Sequence, residues 1–310
     1  MKPPSASAVT IELNAVLVAL TANEPQVLTL DDGALLPSGP FESEHPTLQT
    51  GVRAWVERQT HHPLGYVEQL YTFADRNRAH EHGRRVVSIS YLGLTRERLS
   101  RGARDPEWRN WYRYFPWEDW RRGPPPLIVG EILPRLRKWS DAAGDMAVKR
   151  ERRQRIDVNF GDGKEQWNEE LVLQRYELLY EAGLVLEAGA PARPVPSPLP
   201  GMPMRHDHRR ILATGIARLR AKIKYRPVVF ELMPETFTLL QLQRAIEALA
   251  GRPLHKQNFR RLIDQQGLVE ETGEISSQTG GRPAKLYRFR REIVLERAVG
   301  GSKLPLTRPT

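Results

Sequence analysis

The chain has 310 residues, with 47 Lys and Arg against 37 Asp and Glu, for a net charge of +10. A 40% hydrophobic share with seven Trp excludes a disordered chain and leaves room for two domains, each with its own core. The absence of Cys excludes disulfides, thiolate zinc sites and a Cys nucleophile and fits the cytoplasm, while no apolar run approaches the ~20 residues of a membrane span and no secretory leader is read in Met1–Val9.

Met1–Ala8 is small and polar and reads as a loose tail. Val9–Leu20 alternates and then runs apolar, with Ile11, Leu13, Ala15 and Leu17 on one side and Val16 and Val18 on the other. This pattern predicts a long, mostly buried strand. A turn at Asn23-Glu24-Pro25 leads to a second strand over Gln26–Leu30, and Asp31-Asp32-Gly33 turns the chain again. Thr47 is placed to cap a helix reaching about Gln59, and Tyr66–Phe73 and the β-branched run Arg85–Leu94 predict two more strands. Repeated strands around one helix predict a mixed sheet with helices packed on it, an α+β or α/β sandwich. Trp108, Trp111, Tyr112, Tyr114, Phe115, Trp117 and Trp120 then fall within 13 positions, interleaved with Arg. Such a run suits base stacking or the filling of a core; packing is favoured, because aromatic clusters usually fill cores and interfaces.

Gly123-Pro124-Pro125-Pro126 breaks the chain. Helices are predicted over Ile128–Ala143, kinked or started at Pro134, and over Gln166–Ala182, ended by Gly183, with the very basic Met146–Asp157 between them. Six prolines in the 15 residues Gly189–Pro203 predict a semi-extended linker or surface strap. A helix from His206 to about Lys224 carries the apolar stripe Ile211, Leu212, Ile216 and Leu219 and is placed to connect two domains.

Tyr225–Arg290 reads as three short helices followed by a two-stranded wing. Phe230, Leu232 and Met233 supply a first helix stopped by Pro234; Thr238 and Gln241 form a capping box for a second, with Leu239, Leu242, Ile246 and Leu249 on one side. A third helix, about His255–Gln266, sets Phe259, Leu262 and Ile263 on one face and Lys256, Gln257, Arg260, Arg261 and Asp264 on the other, and Gly267 ends it. Leu268–Glu271 and Leu286–Phe289 are the predicted strands. This is the order of a winged helix-turn-helix, with the basic face in a major groove and the hairpin tip on phosphate or minor groove. A basic amphipathic helix also suits a plain solvated face. The distribution of charge favours DNA: Arg205–Arg290 holds 17 Lys and Arg against 8 Asp and Glu, nearly all of the chain's net +10.

Leu36–Gln69 resembles the Nudix hydrolase signature, in which carboxylates one turn apart on a helix hold Mg²⁺ on a diphosphate. Gly39 and Arg53 match its Gly and Arg, Trp55 keeps the apolar place, and Glu57 keeps one carboxylate. His45, Ala54 and Arg58 stand where the other Glu residues belong, and Thr60 where the final Gly belongs. One carboxylate does not hold a catalytic metal, so no diphosphate hydrolase activity is expected. Arg53 and Glu57 read as an i, i+4 ion pair. His61-His62, His80 with His82, and His206 with His208 read as solvated rather than metal-ligating.

Phe230-Glu-Leu-Met-Pro-Glu-Thr-Phe, Asn258-Phe-Arg-Arg, Gly267-Leu-Val-Glu-Glu-Thr-Gly and Gly281-Arg-Pro-Ala-Lys-Leu-Tyr together resemble the winged-helix half of the Nudix-related transcriptional regulators of NAD metabolism. Leu36-Pro-Ser-Gly, the decayed box, Glu68-Gln-Leu-Tyr-Thr-Phe and Gly83-Arg-Arg-Val-Val-Ser-Ile-Ser-Tyr-Leu resemble that family's sensor half, so the likeness covers roughly two thirds of the chain in two blocks. The long segment from about Pro124 to Pro203 and the eroded box point to the NadQ-type variant among NrtR-like regulators. The resemblance implies a Nudix-like α/β/α sandwich over 1–123, a helical insertion and Pro-rich linker over 124–204, a winged helix over 205–300 and a tail over 301–310. It implies a homodimeric repressor of NAD-biosynthesis genes, not an enzyme, whose sensor binds ADP-ribose, NAD or ATP, with no cofactor. The expected DNA-reading residues are Lys256, Gln257, Asn258, Arg260 and Arg261, with Arg282 and Lys285 in the wing. The expected ligand residues, taken from where Nudix domains hold a diphosphate and an adenine, are Arg53, Glu57, Tyr71, Phe73, Arg84 and Arg85. The alternatives are an atypical nucleotide hydrolase with a basic tail and an adaptor whose winged helix binds protein.

Overall fold

The thirteen residues of β1 (Val9–Thr21) are the spine of a seven-stranded sheet. The structure, a computed structural model, describes residues 9–62, 64–75, 80–81, 84–96, 107–161, 166–189, 194–276, 283–290 and 292. β1 pairs in parallel with β6 (Arg84–Leu94), and β6 carries β4 (Tyr66–Phe73) and the short β5 (His80–Glu81) antiparallel. On its other side β1 takes β3 (Ser38–Pro40) near its start and β2 (Glu24–Thr29) at its end, with β7 (Glu107–Asn110) beyond, all antiparallel. A bulge between Gln69 and Thr72 lets both Leu70 and Phe73 point inward.

The period of two along β1 sorts its side chains to two layers. Leu13, Ala15 and Leu17 pack with Val52 and Val56 of α1 (Leu48–Thr60). Val16 and Val18 face the other way, where a Cβ at Gly215 would meet Val16, so α5 (His208–Tyr225) lies close on the sheet. Thr47 caps α1 as expected, reciprocally with Thr50.

The insertion is helical. A π-turn over Ile128–Ile132 runs into α2 (Leu133–Asp141), where Pro134 enters the first turn and lacks the N–H that a regular ladder would use. α3 spans Met146–Phe160 and is capped by Asp145. α4 (Val172–Glu181) starts later than the expected Gln166, because the Asn168 side chain accepts from the Glu170 N–H and holds a turn ahead of it. The Pro-rich segment is a strap with buried anchors: Leu199 N donates to Leu184 O at 2.8 Å, Met202 N to Arg113 O at 2.8 Å, and Leu199 and Met204 sit in the core.

In the C-terminal part the expected first helix is a single 3₁₀ turn, Val228–Glu231, too short between Pro227 and Pro234 to be more. α6 (Leu239–Ala250) carries the expected capping box, with Thr238 N donating to Gln241 Oε1 at 2.7 Å, and Gly251 ends it at φ 73°. α7 (Lys256–Gln266) ends at Gly267, φ 59°. A strand that the sequence pattern does not predict, β8 (Thr236–Phe237), pairs with β10 (Ala284–Phe289), which pairs with β9 (Val269–Ser276), so the wing is three-stranded. The aromatic run is packing, as expected: Trp111, Tyr114, Phe115 and Trp117 are fully buried. One apolar cluster runs without a break from Val16 and Val18 through these aromatics and α4 to Phe237, Leu242 and Phe259.

Candidate nucleic-acid interface and sensor surface

Phe259 and Ile263 anchor α7 in the core, four positions apart on one side of the helix. Leu262, expected beside them, is half exposed and lines the rim of an apolar groove of about 260 Å³ between α5, α6 and α7. On the outward side Lys256, Gln257, Asn258, Arg260 and Arg261 are all exposed, and their side chains make no hydrogen bond or ion pair among the described residues. A helix start without a side-chain cap at His255 leaves the first N–H groups of α7 open as well. In the wing, Lys285 is exposed but pairs with Glu271 at 2.9 Å. Arg282 lies outside the described residues.

The decayed metal box is a packing unit in this chain. Trp55 lies over Gly39, where a Cβ would overlap the indole, and its Nε1 donates to Pro40 O at 2.8 Å. The Arg58 guanidinium stacks 4.6 Å above that ring, and Gln59 exchanges two hydrogen bonds with the Ser38 backbone. Arg53 donates to the carbonyls of Leu64 and Gly65, tying α1 to the loop before β4. The expected Arg53–Glu57 ion pair is therefore not formed, and Glu57 is exposed. Phe73 is buried beneath Arg210, whose guanidinium carbon lies 4.1 Å from the ring centroid. Tyr71 is 57% exposed and stands 4.8 Å from the Phe73 ring, so of this pair only Tyr71 presents a face to solvent. Arg84 and Arg85 open β6, and their side chains lie outside the described set.

Two histidine expectations are corrected. His61 is the exposed, left-handed C-cap of α1, whereas His62 is buried edge-on to Trp108 rather than solvated. His208 is also buried; its Nδ1 accepts from the Leu36 N–H at 2.8 Å, and burial, then His206, holds its pKa down at about 3. Among the described residues no three His, Asp or Glu side chains converge on a metal-sized point.

Sequence reasoning missed a buried ionic centre. The Glu118 carboxylate accepts from Arg175 of α4 at 2.6 and 2.7 Å and from Arg220 of α5 at 2.7 Å, all three side chains fully buried. Burial pushes the Glu118 carboxyl up, but the two guanidinium groups outweigh it and hold it below the usual range. Arg220 also donates to Leu249 O at the end of α6, and Tyr112 donates to Ala248 O at 2.7 Å. Gly251, the cap of α6, packs so closely here that a Cβ would meet the Arg220 guanidinium and Glu118 O. The signal was present: Arg209, Ile216 and Arg220 fall at i, i+7 and i+11, so both arginines lie on the apolar stripe of α5.

Residues 229–289 match the family described as the NrtR DNA-binding winged helix domain. A curated relative, the ADPR responsive transcriptional repressor NtrR of Acinetobacter baylyi, is 45% identical over 83 residues. That match covers 27% of this chain and 33% of the relative, so the chain matches about a third of that relative's length. Among solved structures, Shewanella oneidensis NrtR aligns over 90% of this chain and 94% of its own at 19% identity, TM-score 0.54, and at 0.52 in its complex with a 27mer DNA. A MutT/nudix family protein from Enterococcus faecalis aligns over 91% of this chain and 88% of its own at 16% identity, TM-score 0.52. These likenesses, at such identities, carry the fold. Residues 229–289 match the NrtR DNA-binding winged helix family, and over nearly the whole chain the fold is like that of NrtR, a sandwich followed by a winged helix.

Proposed function

We propose that this chain is a transcriptional repressor that reads operator DNA with α7 and senses ADP-ribose, or a related adenine nucleotide such as NAD or ATP, through its Nudix-type sandwich. The observation that carries the reading is the outward face of α7: five polar or cationic side chains, exposed and without partners among the described residues, on a helix held from behind by Phe259 and Ile263. Arg and Lys pair with guanine edges and Gln and Asn with adenine, so this set is chemically suited to a major groove. The Acinetobacter relative is an ADPR responsive repressor by name, which supports both the effector and the sign of regulation here. The genes regulated are those of NAD biosynthesis, and the protein acts as a homodimer on two half-sites.

The sandwich acts as a sensor without turning its ligand over. Its box residues are spent on packing and on carbonyls, and Glu57 stands without a second carboxylate of the box beside it. A ligand shifts DNA affinity only if it prefers one arrangement of sensor and winged helix over another. The Glu118 centre, shared by the aromatic segment, α4, α5 and the end of α6, is the physical joint through which such a preference passes. The test is selection of bound duplexes from a random pool, followed by gel shift of the winner with ADP-ribose, NAD and ATP. A repressor of this kind yields one palindromic site whose affinity changes at least about fivefold with one nucleotide, the low end of ordinary coupling. No enriched site, or none that responds, contradicts it.

A further inference from the structure

A second cationic group lies where the C-terminal half of α5 meets β4. Arg218 and Lys222 lie one turn apart on the flank of α5 that meets β4, and Arg226, the extended residue that caps the helix, follows four positions on. With Tyr66 and Glu68 of β4 they line an open groove of about 620 Å³. The Lys222 ammonium bonds both the Tyr66 hydroxyl and the Glu68 carboxylate. The Arg218 and Arg226 side chains are exposed, with no hydrogen bond or ion pair among the described residues. The one acid in the groove is thus spent on the one lysine, and two guanidinium groups are left over. Burial, then Arg226, lowers the pKa of Lys222; burial raises that of the Tyr66 hydroxyl, with Arg226 and Arg218 pulling down and Glu231 pushing up. The groove is a region of positive potential that an anion would relieve.

We propose that this groove is a phosphate-binding site, with Arg218 and Arg226 as its arms and Lys222 and Tyr66 as its floor. On the order of 10 Å of helix axis, at ~1.5 Å per residue from Arg218 to the last helical residue Tyr225, separates the arms, which suits a chain of phosphate groups better than a single one. Guanidinium forks match phosphate oxygens two at a time. The same chemistry is offered by the backbone of a duplex and by the diphosphate of a free nucleotide. Glu68 sets a limit on charge density, since its carboxylate repels an anion that approaches Lys222 too closely.

The experiment uses the full chain, the Arg218→Ala/Arg226→Ala variant, and two probes. Both arginines are exposed and unpaired, so the variant keeps the wild-type melting temperature. Inorganic pyrophosphate is titrated calorimetrically at low salt without DNA, and affinity for a duplex is measured as a function of salt. A free-nucleotide site appears as pyrophosphate binding weakened at least about tenfold in the variant. A backbone site appears as a salt slope reduced by about 2, at roughly 0.9 for each phosphate no longer neutralised, with pyrophosphate unaffected. If neither quantity differs between wild type and variant, the site does not exist. The pyrophosphate arm needs no operator, so its outcome stands apart from that of the DNA-reading proposal.

Discussion

Arg220 Nη1 lies 2.7 Å from Glu118 Oε2, with both side chains shut off from solvent and the end of α6 resting on the pair. A carboxylate this deep is tolerated because Arg175 and Arg220 together satisfy both of its oxygens. Glu118→Gln removes the charge and leaves two buried guanidinium groups facing each other. The expected loss of unfolding free energy is roughly 3–5 kcal/mol by denaturant titration. A loss under about 1 kcal/mol would mean that the centre relaxes toward water and is no joint.

Acid should destabilise the fold through His208. Its ordinary pKa of 6.5 falls to about 3 in the folded protein. Above pH 6.5 the imidazole is neutral in both states and contributes nothing to the pH dependence. Between 6.5 and 3 the unfolded chain binds a proton that the folded chain refuses, so stability falls as pH falls, by roughly 3 kcal/mol at pH 4. Unfolding free energies at pH 7 and pH 4 check this, with His208→Gln expected to lose less between the two than wild type. Equal losses would place the acid sensitivity in the carboxylates alone.

No Mg²⁺-dependent hydrolysis of ADP-ribose or a dinucleotide is expected, and Glu57→Gln should leave the trace of released phosphate unchanged in a phosphatase-coupled assay. Turnover that requires Mg²⁺ and disappears in Glu57→Gln would show that one carboxylate suffices and would return the sandwich to the enzymes.

The sequence showed most where the physics is local. Thr47 and Thr238 cap helices because their hydroxyls reach N–H groups three residues on, and Gly267 ends α7 because glycine tolerates φ 59°. The long strands β1, β4 and β6 were legible from period two and β-branching. What stayed hidden depends on distant partners. β8 is two residues long and exists only because β10 lies beside it. The single turn at Val228–Glu231 carries helical-looking apolar residues, yet its prolines decide the outcome. In the site, the outward basic face of α7 was readable from spacing, whereas the fate of Arg53 and Phe73 was not. Nothing local says that Arg53 will spend its donors on Leu64 and Gly65, or that Arg210, 137 positions on, will cover Phe73.

Removal of two side chains from the reading helix tests the repressor proposal most directly. Arg260→Ala and Arg261→Ala are exposed truncations that leave no buried group unpaired, so thermal stability should stay at the wild-type value. Fluorescence anisotropy on the selected duplex should show each variant weaker by about 1–3 kcal/mol, roughly five- to 150-fold, with sequence preference relaxed at the bases contacted. Affinity and preference equal to wild type in both variants would contradict DNA reading by α7.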